Sequence, residues 1–225
     1  MHGNFLLYYI TDRTAFPGDE TSRRSRLLAK IAEAAHAGVD YIQLREKDLS
    51  TRDLESLAHE AVRVIRESCP LKAEGRERKS ALLINSRTDV ALTARADGVH
   101  LRSEDVSPED VRTVWQCVAG PRDPENSRQK PLIAVSCHSA TKVTQAAASA
   151  ATFAVFAPIF EKKDASPAGL KLLREACVAN IPVLALGGIT LANAQSCLAA
   201  GAAGIAAIRL FQEKDIAEVV EQLRG

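Results

Sequence analysis

Gly187 and Gly188 are the residues in this chain whose type and spacing most directly suggest chemistry. They end the run Pro182-Val-Leu-Ala-Leu-Gly-Gly-Ile-Thr190, and a second run of the same kind, Gly201-Ala-Ala-Gly-Ile-Ala-Ala-Ile208, follows. Each reads as a short buried strand that runs into a turn. The two glycines leave backbone amides uncovered just before a helix that starts near Leu191. Uncovered amides and the positive end of a helix dipole both favour an anion, so this turn is suited to a phosphate. Ile208 and Arg209 end the second run and would sit beside it.

Other polar residues follow short apolar runs. Arg45 and Lys47 alternate in Gln43-Leu-Arg-Glu-Lys47, so they share one side of an extended segment. Together they could hold a phosphate or diphosphate, Arg as a planar fork and Lys as a point charge. A salt bridge from Arg45 to Glu46 or Asp12 is the plainer role. Asn85 could satisfy a heterocycle as donor and acceptor, or cap the helix after it. His138 and His100 each end an apolar run and have a side chain suited to acid–base work near neutral pH. His138 could instead be only a loop hydrogen-bonder, and strand neighbours could bury His100. Cys137 and His138 are adjacent on a strand, so they point opposite ways and make a poor nucleophilic pair. Asp105 is a candidate magnesium ligand, since that ion is held by one or two carboxylates with phosphate oxygens and water. Ser136, Lys163 and Ser86 complete the polar set.

The elements that carry these residues are short and regular. Strands are expected at Leu6–Thr11, Tyr41–Leu44, Ala81–Ile84, Gly98–His100, Leu132–Ser136, Phe153–Ala157, Val183–Ala185 and Gly204–Ile208. Helices are expected at Ser22–Ala37, Thr51–Glu67, Arg87–Ala94, Pro108–Cys117, Ala140–Ala150, Ala168–Ala179, Leu191–Ala200 and Ile216–Leu223. Strands apolar on both faces that alternate with helices form parallel βαβ units. About eight units in one domain predict a (β/α)₈ barrel of the TIM type, a single α/β domain over residues 1–225, with a doubly wound open sheet as the competing architecture. In such a barrel the residues just past each strand ring the mouth, and the turns after strands 7 and 8 bind phosphate. The polar stretches 72–80 and 120–131 fall before strands 3 and 5, on the opposite face, and read as solvated surface.

Bulk properties narrow the class. The 225 residues are 46% hydrophobic, enough for one sizeable core, and 29 basic against 28 acidic residues leave a net charge of +1. That balance argues against nucleic-acid or membrane-surface binding, so anion binding must be local. Five cysteines, odd in number and without a CxxC, read as free thiols in a reducing compartment. Leu6–Ile10 is too short for a signal peptide, and no apolar run approaches the roughly 20 residues of a membrane helix. The expectation is a cytoplasmic enzyme, with a homo-oligomer open.

Seven motifs in order carry a family resemblance: Tyr9-Ile-Thr-Asp-Arg13, Gln43-Leu-Arg-Glu-Lys47, Leu83-Ile-Asn85, Asp97-Gly-Val-His-Leu101, Val135-Ser-Cys-His138, Ala157-Pro-Ile-Phe160 and Leu186-Gly-Gly-Ile189. From about Leu6 to Phe211 the chain resembles the thiamine phosphate synthase/TenI family. The resemblance implies a (β/α)₈ barrel in thiamine biosynthesis, with one of two activities. The synthase joins hydroxymethylpyrimidine diphosphate to thiazole phosphate with magnesium and loss of pyrophosphate. TenI-type tautomerases aromatise a thiazole carboxylate phosphate by moving a proton and require no metal. By that resemblance Gln43, Arg45, Lys47, Asn85 and Ser136 bind substrate, Asp105 holds magnesium and Gly188 binds the thiazole phosphate.

Three departures matter. Ser86 stands where the synthase pattern carries a second magnesium carboxylate. Glu161-Lys-Lys-Asp164 replaces a threonine-rich loop. Ile208-Arg209 replaces a phosphate-binding serine. These losses weaken diphosphate ionisation more than thiazole phosphate binding. The expectation is therefore a TenI-like thiazole tautomerase with His138 and His100 as acid–base groups. A thiamine phosphate synthase is the first alternative and a non-catalytic thiazole or thiamine phosphate binder the second. An aldolase is disfavoured, because no lysine sits inside a strand to form a Schiff base.

Overall fold

The protein is described here by a computed structural model over residues 5–68, 80–119, 130–160 and 167–225. Eight parallel strands close into a barrel in sequence order, with β8 pairing back onto β1. The strands are β1 (Leu6–Ile10), β2 (Tyr41–Leu44), β3 (Ala81–Asn85), β4 (Gly98–Leu101), β5 (Leu132–Cys137), β6 (Phe153–Phe156), β7 (Val183–Leu186) and β8 (Gly204–Ala207). The helices are α1 (Glu20–Ala37), α2 (Thr51–Ser68), α3 (Thr88–Thr93), α4 (Pro108–Ala119), α5 (Ala140–Ala148), α6 (Gly169–Ala176), α7 (Leu191–Ala199), α8 (Arg209–Gln212) and α9 (Ile216–Arg224). The closed order excludes the doubly wound alternative.

Boundaries differ from the sequence expectation by one to three residues, for local reasons. Helix α1 begins at Glu20 instead of Ser22, because the Asp19 carboxylate accepts from the Ser22 amide at 2.9 Å and caps the first turn. It ends at Gly38, whose φ of +83° is the left-handed conformation that closes helices. Strand β2 stops at Leu44, so Lys47 lies in a turn and not in an extended segment shared with Arg45. The single turn α8 had no periodic signal. The chain end is tied back to the barrel floor: Arg224 donates to the Gly38 carbonyl at 2.7 Å and pairs with Asp40, which accepts from the Leu7 amide.

Alternation along each strand divides the core into two. Leu7, Tyr9, Ile42, Leu44, Leu82, Ile84 and Val99 face the helices. Tyr8, Ile10, Leu83, Ala134, Phe153, Val155, Leu184 and Ala206 fill the barrel. Within it Tyr8 meets Phe153 edge-on with centroids 5.5 Å apart, and Tyr41 stacks on Phe153 at 4.7 Å, a geometry that aromatic quadrupoles favour. Two residues beyond Leu83 comes Asn85, and two beyond Ala134 comes Ser136. The same parity that fills the plug delivers polar residues above it.

Gly98 shows how tightly the wall closes. A Cβ there would lie 1.8 Å from the Leu132 carbonyl oxygen of the neighbouring strand. Gly98→Ala is expected to lower unfolding stability by about 3 kcal/mol, through forced displacement of backbone in a packed barrel. Urea unfolding measures this, and a loss within error of zero would show that the β4–β5 register can shift.

Candidate active site at the carboxyl ends of the strands

An arc of hydrogen bonds runs across the mouth from β2 to β4. Gln43 is buried and donates through Nε2 to Asn85 Oδ1 at 2.9 Å. Asn85 Nδ2 donates to Ser86 Oγ at 3.3 Å, and the Ser86 side chain bonds the Asp105 carboxylate. Asp105 in turn accepts from the Arg102 amide at 2.7 Å and from its guanidinium at 2.9 Å. Burial works against the Asp105 charge, yet the bonds from Arg102 and Ser86 hold its carboxyl below the usual range. One atom of the arc lacks a partner: the Gln43 Oε1 oxygen is buried and accepts nothing.

Behind the arc lies a second chain. His100 is only 3% exposed, and its ring nitrogens contact the Tyr8 hydroxyl (Nδ1, 2.9 Å) and the Ser136 hydroxyl (Nε2, 2.8 Å). Burial first, and the nearby Arg45 charge second, push the imidazole from 6.5 down to about 4, against a smaller opposing pull from Asp105. His100 was expected at the mouth as an acid–base group; it is instead an interior, neutral ring. His138 differs. It is exposed past the end of β5, with Nδ1 held 2.7 Å from the Ala157 carbonyl oxygen. A carbonyl only accepts, so Nδ1 carries the proton and Nε2 of the neutral ring keeps a lone pair. Cys137 faces the helices, and burial pushes its thiol up to about 11, which leaves it unsuited to act as a nucleophile.

The β1 and β2 ends are bound by a buried ionic knot that spacing did not foretell. Glu46 accepts from Thr11 Oγ at 2.6 Å and from the Arg13 amide at 2.9 Å. The Arg13 guanidinium reaches Glu46 at 3.3 Å, holds Asp48 through two bonds of 2.7 and 2.9 Å, and meets Glu20 at 2.7 Å. Thr11 Oγ also accepts from the Arg45 amide at 3.0 Å. Glu46 is thus bridged to Arg13 and not to Arg45, which leaves the half-buried Arg45 near His100. Lys47 is exposed. Thr11 and Arg13 follow the end of β1, where Arg13 opens a short 3₁₀ turn, and nothing in their spacing pointed to Glu46.

The glycine turn is where it was expected. Gly187 and Gly188 have φ of +104° and +66°, and a Cβ on Gly187 would meet Pro158 at 2.9 Å. Position 187 therefore requires glycine, and Gly188 sits in the left-handed region that glycine adopts most easily. Asn193 closes the turn, with Oδ1 accepting from the Thr190 amide at 2.8 Å and Nδ2 donating to the Gly188 carbonyl at 2.9 Å. The amides ahead of α7 thus lie at the positive end of a helix. Ile208 precedes α8, and the exposed Arg209 begins it. Lys163, with Glu161, Lys162 and Asp164, lies outside the described residues.

Two comparisons decide the family. The sequence profile described as thiamine monophosphate synthase matches residues 7–211. The chain belongs to that family. It is 35% identical to the thiamine-phosphate synthase of Methanoculleus marisnigri, over 97% of this chain and 93% of that one. Identity to the thiamine-phosphate synthase of a Roseiflexus species is also 35%, over 92% of this chain and 78% of that one. A solved thiamine phosphate pyrophosphorylase from Pyrococcus furiosus superposes with a TM-score of 0.75 at 28% identity, covering 99% of this chain and 95% of that one. The protein is thus a thiamine-biosynthesis member of the thiamine monophosphate synthase family, and among its described residues no helix is long and apolar enough to cross a membrane.

Magnesium chemistry was an expectation for Asp105, and the donors fit that ion poorly. Both Asp105 oxygens accept from Arg102, and Ser86 offers a hydroxyl in place of a second carboxylate. Among the described residues no group of three or more His, Cys, Asp or Glu could hold a metal. A divalent cation would have to displace the Arg102 guanidinium and would then find one carboxylate.

Two stability predictions follow from the buried groups. Below pH 6.5 the unfolded chain takes up a proton that His100 refuses until about pH 4. The stability from its neutral state, full above pH 6.5, should therefore fall by about 3 kcal/mol as pH drops to 4. His100→Gln should remove that component from the pH–stability curve measured by denaturant unfolding; identical curves for the two proteins would refute it. Arg13→Ala should cost about 3–5 kcal/mol at pH 7, because Glu46 is left charged and unpaired. Burial already pushes the Glu46 carboxyl upward, so it protonates more readily in acid, and the deficit should shrink as pH falls. A deficit that grows in acid would contradict the sign.

Proposed function

We propose that this chain is a TenI-like thiazole tautomerase, with His138 as the proton carrier and no metal. The observation that carries this reading is the state of Asp105, closed by Arg102 and facing Ser86, beside a His138 ring held in one orientation by Ala157. The phosphate of a thiazole carboxylate phosphate is assigned to the amides of Gly187 and Gly188, with Ile208 and Arg209 beside them. Nε2 of His138 takes a proton from a saturated ring carbon, and the electron pair shifts as the ring becomes aromatic. A proton then returns at the far end of the shifted π system, so none is gained or lost overall. Arg45 and Ser136 are placed to stabilise the charge that develops between the two steps. Lys163 is proposed as a further ligand-binding residue.

A second reading, thiamine phosphate synthase, is favoured by one atom. Gln43 Oε1 is buried and lacks a donor, and an amino group on a pyrimidine would supply one beside Asn85. Arg45 and Lys47 would then hold the diphosphate. The Methanoculleus and Roseiflexus relatives are themselves thiamine-phosphate synthases by name.

Purified protein offered each substrate set separately, with magnesium or with a chelator, distinguishes the readings. The expected result is aromatisation of the thiazole carboxylate phosphate that a chelator does not diminish. His138→Ala should lower that rate by about 10²–10⁴-fold, the usual contribution of a positioned acid–base group. Magnesium-dependent thiamine phosphate formation from the pyrimidine diphosphate and thiazole phosphate would replace the first reading with the second. Binding of thiazole phosphate without turnover in either assay would leave a binder.

A further inference from the structure

The hydroxyl of Tyr8 is sealed in the barrel, fully buried beneath His100 between Tyr41 and Phe153. Its hydrogen-bond partner is His100 Nδ1, at 2.9 Å. The same ring reaches Ser136 through Nε2 at 2.8 Å. A neutral imidazole carries one proton, so the two contacts allow two arrangements. In the first, Nδ1 donates to Tyr8; the phenol hydrogen then has no acceptor in a dry interior, and Ser136 must give its own hydrogen to Nε2. In the second, Tyr8 donates to Nδ1, Nε2 donates to the Ser136 oxygen, and every buried group is satisfied. A buried hydroxyl left without an acceptor bears its full desolvation cost, which selects the second arrangement.

We infer that Tyr8 and His100 are positioning residues that fix the direction of the Ser136 hydroxyl: its oxygen accepts from His100 Nε2–H, so its own hydrogen is turned away from the ring and can be donated to a ligand in the mouth. The relay runs Tyr8 O–H to Nδ1, Nε2–H to Ser136 Oγ, and Ser136 O–H to the ligand. Each bond polarises the next, so the last donor is stronger than a free serine. The reverse relay would make Ser136 an acceptor towards the ligand. The Arg45 charge is felt at His100, so a cation lies near the ring of the relay. The backbone of Arg45 is held by its amide bond to Thr11. The inference deepens the proposed function by naming the residues that orient Ser136, and it rests on that reading only for Ser136 facing the ligand.

Long-range proton–nitrogen NMR on protein carrying ¹⁵N-histidine reads the tautomer of His100 directly. At pH 7 the expected form is Nε2–H with a bare Nδ1. In Tyr8→Phe the penalty that selects this form is gone, so the Nε2–H share should fall. Added inorganic pyrophosphate should move the Nε2–H signal of the wild-type protein, and should not do so in Ser136→Ala. An Nδ1–H tautomer or an imidazolium at pH 7 in the wild-type protein overturns the relay. An unchanged tautomer in Tyr8→Phe overturns the role of Tyr8, and a signal indifferent to high pyrophosphate overturns the role of Ser136. None of these readouts needs turnover. A wrong assignment of the reaction therefore leaves the relay standing, and a wrong tautomer leaves the reaction to its own assays.

Discussion

Closure of eight parallel strands into one barrel makes side-chain parity consequential at every position. Successive residues on a strand point to opposite sides, so once Tyr8, Leu83, Ala134, Val155 and Leu184 fill the interior, the residues two places further on must emerge at the mouth or cap it. Asn85 and Ser136 arrive there in this way, while Cys137, next in sequence to Ser136, is turned to the helices. A shift of one residue in any strand would turn its helix-facing side chains into the barrel, and in β3 or β5 would carry Asn85 or Ser136 away from the mouth. The glycines at 98 and 204 lock the register from the other end, because a Cβ at either would strike the backbone of the adjacent strand.

The mouth depends on two buried polar assemblies that the apolar core alone would not need. The knot of Arg13, Glu46 and Thr11 joins the ends of β1 and β2, and its benefit is positional more than energetic. A buried ion pair seldom exceeds a well-packed apolar substitute in stability, but it is costly to break and specific in geometry. It draws Glu46 away from Arg45, so the Arg45 charge stays available near His100 and Ser136. The chain from Tyr8 to Ser136 does for hydrogen bonds what the knot does for charges: it fixes a direction.

Charge distribution then separates the two halves of the site. The Gly187–Gly188 turn and Arg209 form an anion-favouring side with no carboxylate in the turn itself. On the other side, the half-buried Asp105 is the carboxylate expected to meet a cation, and Arg102 pairs with it at 2.9 Å. On the proposed reading the site serves phosphate binding, whereas ionising a diphosphate would need strong stabilisation of a departing pyrophosphate. The unmet acceptor on Gln43 points the other way and keeps the pyrimidine question chemically specific.

The alternation of short apolar runs with amphipathic ones was enough to give the barrel, its eight units and the place of the glycine turn, because these follow from local periodicity and from backbone conformations that only glycine adopts easily. The family was legible too, since its motifs lie in order at strand ends. Contacts between strands were not legible. Spacing could place His100 at the end of β4, but not beneath Ser136 and above Tyr8, since those residues come from strands 36 and 92 positions away. It could offer Glu46 as a partner for Arg45, but the choice of Arg13 was made by how β1 and β2 lie side by side. Asp105 was expected as a metal ligand, and the bonds it accepts from Arg102, three residues before it, are a local contact that the residue types alone did not single out. Periodicity records which face of an element is apolar; which buried donor meets which acceptor is decided only when the barrel closes and each polar group must find its partner away from water.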